Sequence, residues 1–254
     1  MGTRLDIAMT QRGLARTRSQ ARDLVKRGTV TVDGEPERRP GRQVTSDHAI
    51  AVSDGAAEWV SRAALKLVAA FDGFGLNCAG KRCLDLGAST GGFTQVLLAN
   101  GAAHVYAVDV GSGQLVSALA SDPRVTSLEN TDARRLTPEL VHYGQAGPID
   151  VVTADVSFIS VTKVIGPALA LTAVGAWCVV LVKPQFELEP GAMNGQGVVT
   201  NPADRQRAID CVQEGVRVEA SAMEQEWEFY PPQPSPVAGK VGNLEWLLHA
   251  VRQQ

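Results

Sequence analysis

The stretch Asp85-Leu86-Gly87-Ala88-Ser89-Thr90-Gly91-Gly92-Phe93-Thr94 decides how this chain is read. It begins at the end of an apolar run, Arg82–Leu86, and leads into a helical pattern. Its glycines therefore fall at a strand-to-helix turn, where backbone can approach a ligand. The start of the following helix adds N–H groups that lack partners within the helix. The spacing is Gly-x-x-x-Gly-Gly, which disfavours a dinucleotide site. No Gly-Lys-Ser/Thr follows, which excludes a nucleotide-phosphate loop. Working outward, further strands are expected at Val105–Val110, Val125–Leu128, Val151–Ala154 and Cys178–Val182, with weaker ones near Val216–Ala220 and Leu244–Leu248. Short apolar strands alternating with helices predict an α/β fold, doubly wound around a mostly parallel sheet.

Acidic residues mark the expected ligand edge of that sheet. Asp85 opens the glycine turn, Asp109 ends the second strand about twenty residues on, and Asp132 and Asp155 follow the third and fourth. Any one of them could simply cap the next helix. Four together point to a site, with Asp109 where an α/β fold grips ribose hydroxyls. Lys183 ends the strongly apolar Leu181-Val182 run, an expensive place for an ammonium unless it is paired, working or snorkelling outward. Glu245 stands between Leu244 and Trp246.

Composition narrows the class. The 254 residues are 44% hydrophobic and 20% charged, which fits a soluble globular chain of one large domain and a smaller one. No apolar run reaches the roughly 18 residues of a spanning helix. The charged amphipathic start reads as no signal peptide, so a cytoplasmic, reduced protein is expected. Four cysteines and four histidines are scattered and form no Cys-x-x-Cys set; no metal site is expected. The net charge of −3 conceals an asymmetry: ten Lys/Arg against five Asp/Glu in residues 1–45, and 14 against 22 beyond. A basic head on an acidic body suggests an arm for a polyanion, the alternative being a solvated helical face.

The head has its own pattern. Leu5, Ala8 and Met9 fall at helical spacing before Gly13. Thr17 or Ser19 can cap a second helix that carries Ala21, Leu24 and Val25 on one face and ends at Gly28. Thr29-Val30-Thr31-Val32 alternates like a strand and meets Asp33-Gly34, a hairpin signal. The expected organisation is a small α+β domain over 1–54, a linker over 55–60 and a catalytic domain over 61–254. Arg4-Leu5-Asp6, Gly13-Leu14-Ala15, Ser19-Gln20-Ala21 and the run Lys26–Gly34 resemble the small RNA-binding domain first described in a ribosomal small-subunit protein and shared with pseudouridine synthases. That resemblance implies a grip on structured RNA through phosphates and shape. Arg4, Arg16, Arg18, Arg22, Lys26 and Arg27 are the candidate contacts.

Asp85 to Gly92, Asp109 and Asp132 resemble the S-adenosyl-L-methionine site of Rossmann-like methyltransferases. The resemblance implies a cofactor held by Asp85, Gly87, Ala88, Ser89, Gly91, Gly92 and Phe93 at its methionine end. It implies ribose on Asp109 and adenine near Asp132, with Val110, Ala133 and Asp155 as further cofactor contacts. With Ser61–Leu67, Asp155–Ser160, Leu181–Glu187 and Ser235–Trp246 added, the chain resembles the TlyA family of haemolysin-labelled ribosomal RNA methyltransferases, whose catalytic domain is similar to that of FtsJ. This implies a catalytic tetrad of Lys66, Asp155, Lys183 and Glu245 and 2′-O-methylation of cytidine in ribosomal RNA or ribosomal subunits.

A ribose hydroxyl is a weak nucleophile and must lose its proton as it attacks a sulfonium methyl. Lys183 is the expected base or hydroxyl-orienting group and Lys66 the group that steadies the nucleophile. Asp155 and Glu245 would position the two amines, and much of the rate would come from alignment. The sequence departs from the family pattern at Ala63, usually Gly, and at Ser112, usually aromatic. Val116, Ser117 and Ala118 are small where a bulky aromatic often follows. These positions lie beside the expected cofactor pocket or substrate entrance. Two alternatives are a small-molecule methyltransferase of secondary metabolism and a catalytically silent RNA-binding protein.

Overall fold

The computed structural model describes residues 2–52, 59–239 and 241–254, with Arg27 described by its backbone alone. Most of the expected linker, and the tail of the expected head at Ser53 and Asp54, lie outside the described residues. The chain divides into two compact units, Met1–Arg62 and Ala63–Gln254, so the observed division falls two residues after the expected start of the catalytic domain.

The first unit contains strand β1 (Thr3–Arg4), helices α1 (Leu5–Gln11) and α2 (Arg18–Arg27), and strands β2 (Val30–Val32), β3 (Glu35–Glu37), β4 (Gln43–Val44) and β5 (Ile50–Val52). Thr17 caps α2 by accepting the N–H of Gln20, and Gly28 ends it in the left-handed conformation at φ 77°. Asp33 and Gly34, at φ 57° and 85°, turn β2 into β3, as a two-residue hairpin with both central residues left-handed requires. β2 is the centre of the antiparallel sheet β3-β2-β5, and β1 pairs with β4. Leu5, Met9, Ala21, Leu24, Val25, Val30 and Val32 bury their side chains in one small core. The apolar positions that signalled two helices and a strand are the ones that meet there.

The second unit opens with α3 (Ala63–Phe74), followed by β6 (Arg82–Leu86), α4 (Gly92–Ala99), β7 (His104–Val108), α5 (Ser117–Ala120), β8 (Val125–Leu128), α6 (Tyr143–Ala146) and β9 (Ile149–Ala154). It continues through α7 (Gly166–Ala170), β10 (Thr172–Val182), α8 (Pro184–Glu187), α9 (Pro202–Ser221), β11 (Trp227–Phe229), β12 (Gln233–Pro234) and β13 (Trp246–Arg252). The sheet order is β11-β13-β10-β9-β6-β7-β8, with β12 also pairing with β13. β10, β9, β6, β7 and β8 run parallel; β13 is antiparallel to its neighbours. The chain moves outward from β6 through β7 to β8, then returns to β9 on the other side of β6. That reversal opens a crevice at the carboxyl ends of β6 and β9, where open α/β sheets bind ligands.

The strand expected near Val216–Ala220 is helix instead. Val216-Arg217-Val218-Glu219-Ala220 alternates apolar and polar residues, but Val212, Val216 and Ala220 are spaced by four. They continue a buried face begun at Ala208 and Ile209, while Val218 is exposed. Asn201 caps this helix and Pro202 occupies its first position, so it starts well upstream of the misleading run. The strand expected at Leu244–Leu248 starts later, at Trp246, and extends to Arg252.

Candidate active site

The glycine turn is built by contacts that only glycine permits at one decisive place. Gly87 has φ 79°, and a Cβ there would lie 2.7 Å from the carbonyl oxygen of Asp155. The turn after β6 and the chain leaving β9 are therefore in backbone contact, which brings the cofactor-type loop against the carboxylate-bearing segment. Ser89 is also left-handed, at φ 48°. Its N–H donates to Asp109 Oδ2 at 2.8 Å, and Gly111 N–H donates to Asp109 Oδ1 at 2.7 Å. Asp109 thus ties the glycine turn to the loop after β7 and keeps further lone pairs on both oxygens. Glu129 holds the same loop by accepting the N–H groups of Gly113, Gln114 and Leu115, which keep its carboxyl below the ordinary value.

Two residues expected to line the cofactor sit deeper. Asp85 does not stand at the strand end beside Asp109 and Asp155; it is inside β6 and fully buried, accepting hydroxyls from Thr94 at 2.7 Å and Thr153 at 3.0 Å. Burial pushes its carboxyl up to about 6, because two neutral hydroxyls compensate only part of the lost hydration. Phe93 is buried in the first turn of α4. The alternation of in and out along a strand, and the inward face of an amphipathic helix, account for both positions. Ala88 and Gly92 are likewise buried, Gly91 precedes α4 at its cap position with φ 98°, and Val110 is exposed. Asp132 caps the short turn Ala133–Arg135 and receives the guanidinium of Arg134, which holds its carboxyl down at about 2. The capping role is thus realised at Asp132.

Four ionisable side chains converge at the carboxyl edge. Lys66 projects from the first half of α3, Asp155 follows β9, Lys183 follows β10 and Glu245 precedes β13. Sheet register explains the last pairing: β13 runs antiparallel to β10, Val182 pairs with Trp246, and the residues just beyond each are Lys183 and Glu245. Lys66 Nζ lies 2.6 Å from Glu245 Oε2 and 3.8 Å from Asp155 Oδ2, and Lys183 Nζ lies 2.5 Å from Asp155 Oδ1. The Lys183–Asp155 contact is ionic, without the alignment of a hydrogen bond. Lys183 Nζ donates instead to Ser157 Oγ at 2.8 Å. Lys66, Lys183 and Glu245 are 7%, 6% and 3% exposed, so each buried charge has a partner of opposite sign, as burial demands.

Sequence reasoning missed the aromatic pair beside this cluster. Phe158 is 90% exposed, sits at φ 66° and places its ring 5.4 Å from that of Phe186. A left-handed phenylalanine in open solvent is costly on both counts, which makes it a candidate site residue. Exposure is not written in a sequence; the adjacency of Phe158 to Asp155 and of Phe186 to Lys183 was the available signal. Glu187, also missed, accepts the Ser160 hydroxyl at 2.5 Å and the Val161 N–H at 3.1 Å. Burial pushes its carboxyl up, against the opposing pull of these hydrogen bonds and of Lys183 and Lys163.

In the first unit Arg18, Ser19, Arg22, Asp23 and Lys26 line an open depression along α2. Arg16, Arg18, Arg22 and Lys26 are exposed, and Arg4 is half-buried. The Arg27 side chain lies outside the described residues. Arg4 and Arg18 both donate to the fully buried Asp6, each at 3.1 Å. Burial alone would raise that carboxyl, but the two guanidiniums hold it below the ordinary value.

Residues 59–250 match the FtsJ-like methyltransferase family and residues 3–50 match the S4 domain. The chain is 45% identical over 246 residues to the Mycobacterium tuberculosis 16S/23S rRNA (cytidine-2′-O)-methyltransferase TlyA, covering 96% of this chain and 88% of that protein. It belongs to the TlyA family of FtsJ-like methyltransferases. Hemolysin A of Brachyspira hyodysenteriae is a further relative, 36% identical over 98% of this chain and 99% of its own. Among solved structures, a Streptococcus thermophilus protein described as a hemolysin superposes with a TM-score of 0.75 at 33% identity, covering 100% of this chain and 89% of that one. The Rossmann-like methyltransferase fold and the S4 head are thus those of the TlyA family. No helix among the described residues is long and apolar enough to cross a membrane.

Proposed function

We propose that this TlyA-family protein transfers a methyl group from S-adenosylmethionine to the ribose 2′-hydroxyl of a cytidine in ribosomal RNA, acting in the cytoplasm and using its basic head to hold the RNA. The observation that carries the reading is the buried chain of alternating charge Glu245–Lys66–Asp155–Lys183 at the carboxyl edge of the sheet, in backbone contact with the glycine turn at Gly87. The relatives named for rRNA cytidine-2′-O-methylation support the substrate class.

The residues present fit the cofactor. Asp109 has acceptor capacity for ribose hydroxyls beyond the two N–H groups it already takes, and the first turn of α4 offers N–H groups to a carboxylate. Val110 and Ala133 supply apolar contact for an adenine, beside the cap at Asp132. Asp85 and Phe93 act from behind the loop, bracing it. When bound, S-adenosylmethionine supplies an electrophilic methyl on a sulfonium.

Lys183 is held by Asp155 and Ser157, which occupy two of the three positions around its nitrogen and leave one for the ribose hydroxyl. In its neutral form the amine keeps two N–H groups for Asp155 and Ser157 and turns its lone pair to the hydroxyl, whose proton it accepts as the oxygen attacks. Lys66, between Glu245 and Asp155, fixes the carboxylate that holds Lys183 and steadies the developing oxyanion. Phe158 is a platform on which the base of an extruded nucleotide can stack. Convergence of all four tetrad members argues against a silent RNA-binding protein.

The test is methyl transfer from labelled S-adenosylmethionine to unmethylated ribosomal subunits, followed by alkaline hydrolysis of the RNA. A 2′-O-methyl blocks cleavage at its own linkage, so the label is expected in an alkali-resistant dinucleotide containing cytidine. Label released in mononucleotides would mean base methylation, and label confined to small molecules would mean a different substrate class. Either result would overturn the proposal.

A further inference from the structure

Two short segments near the tetrad are fastened side by side at three levels. At the first, Lys183 Nζ contacts Asp155 at 2.5 Å and donates to Ser157 Oγ at 2.8 Å. At the second, the rings of Phe158 and Phe186 lie 5.4 Å apart. At the third, Glu187 accepts the Ser160 hydroxyl and the Val161 N–H. The residues thus pair in sequence order, 155 and 157 with 183, 158 with 186, and 160 and 161 with 187.

The first two levels involve groups that meet the substrate in the function proposed above, whereas the third stands apart from them. Neither segment has regular structure enough to hold itself. Residues 155–160 form no helix or strand, and α8 is one turn of four residues. Phe158 is largely in solvent on a left-handed backbone, a conformation that persists only when its surroundings enforce it. The Ser160 hydroxyl also meets Thr162 Oγ1 at 2.7 Å and caps the turn Val161–Lys163, so Glu187 grips a segment that is itself internally bonded.

We propose that Glu187 is a positioning residue that sets the separation of the two segments, and so the placement of Ser157 and Phe158 against the Lys183 amine. It touches neither substrate nor cofactor; it acts through Ser160 and Val161. This inference rests on the reading of Lys183 and Phe158 as substrate-facing.

The test compares Glu187→Ala, Glu187→Gln, Ser160→Ala and the double variant Ser160→Ala/Glu187→Ala in the full chain. Displacement of a reacting group by about 1 Å costs on the order of a hundredfold in rate, so Glu187→Ala should lose about 10- to 100-fold in kcat for methyl transfer to ribosomal subunits. Cofactor affinity should stay within about twofold, because its anchors, the glycine turn and Asp109, lie on other segments. Glu187→Gln, which keeps one acceptor, should recover part of the rate, and the double variant should lose little more than Glu187→Ala alone. A Glu187→Ala enzyme at full rate would overturn the proposal. So would additive losses in the double variant, or a fall in kcat matched by equal losses in cofactor affinity and thermal midpoint.

Amide exchange at Val161, followed without any substrate, should quicken about tenfold or more in Glu187→Ala; unchanged exchange overturns the clamp by itself. Wild-type protein that fails to label RNA would instead sink the functional reading, and the exchange result would still decide the clamp.

Discussion

Asp6 in the head and Asp155 in the body are built alike and do opposite work. Each is a carboxylate between two cationic side chains. Asp6 takes Arg4 and Arg18, whose side chains are 42% and 55% exposed, while Asp155 takes Lys66 and Lys183, whose side chains are 9% and 8% exposed. A guanidinium is permanently charged and presents several N–H groups in a planar fork, so part can bond the carboxylate while the rest faces outward. That suits a surface for phosphates. A lysine is a compact charge that can yield its proton, and burying two of them around one carboxylate makes a site where a proton can be held or moved. On the proposed function the same motif is a display in one unit and a reaction centre in the other, and the choice of cation and its exposure separate the two.

That contrast can be broken by removing the central acid. Asp155→Asn leaves the buried Lys183 without its carboxylate while Lys66 keeps Glu245, and breaking a buried ion pair costs about 3–5 kcal/mol. Asp6→Asn leaves two arginines that can turn to water, so its cost should stay nearer about 1–3 kcal/mol. Denaturant unfolding of both variants checks this. Equal losses would mean that exposure of the cations does not separate the two clusters.

A smaller effect, in pH, sharpens the comparison. Glu37 in the head accepts from Arg39 and Arg42, and these guanidiniums hold its carboxyl down at about 2. A depressed acid contributes stability that is complete above its unfolded value and lost as pH falls toward its folded one. The Glu37 contribution should therefore disappear between about pH 4.5 and about 2. Asp85 has only hydroxyl partners and is raised to about 6 from 3.8. Between those values the folded state holds a proton that the unfolded state has released, so stability falls as pH rises through the window. Asp85→Asn should flatten that fall, while Glu37→Gln should flatten the acid-side loss. Unchanged pH profiles in the two variants would refute the assignments.

Much of this was legible in the sequence, for identifiable reasons. The strands Arg82–Leu86 and Val125–Leu128 were expected at the bounds observed; the first is a buried parallel strand and reads as a short, largely apolar run, while the second is the half-buried edge strand. Thr17, Gly28 and Asp33-Gly34 announced a cap, a stop and a hairpin through local chemistry alone. What stayed hidden depends on depth and register. Asp85 looked like a fourth ligand-edge acid until its place one residue inside β6 turned it toward Thr94 and Thr153. The meeting of Lys183 with Glu245 rests on the antiparallel pairing of Val182 with Trp246, across a separation in sequence that no spacing rule reaches. The exposure of Phe158 and the grip of Glu187 on Ser160 are properties of packed segments.

On the proposed mechanism Lys183 works by handling a proton while held by Asp155 and Ser157. Single-turnover methyl transfer by Lys183→Arg, with both RNA and cofactor binding measured alongside, tests it most directly. Arginine keeps the positive charge and can still reach Asp155, but it does not give up its proton under working conditions. Binding of both partners is expected within a few-fold of wild type, with the transfer rate reduced by about 10²–10⁴. Transfer at the wild-type rate would contradict it, because a fixed cation would then be sufficient at that position.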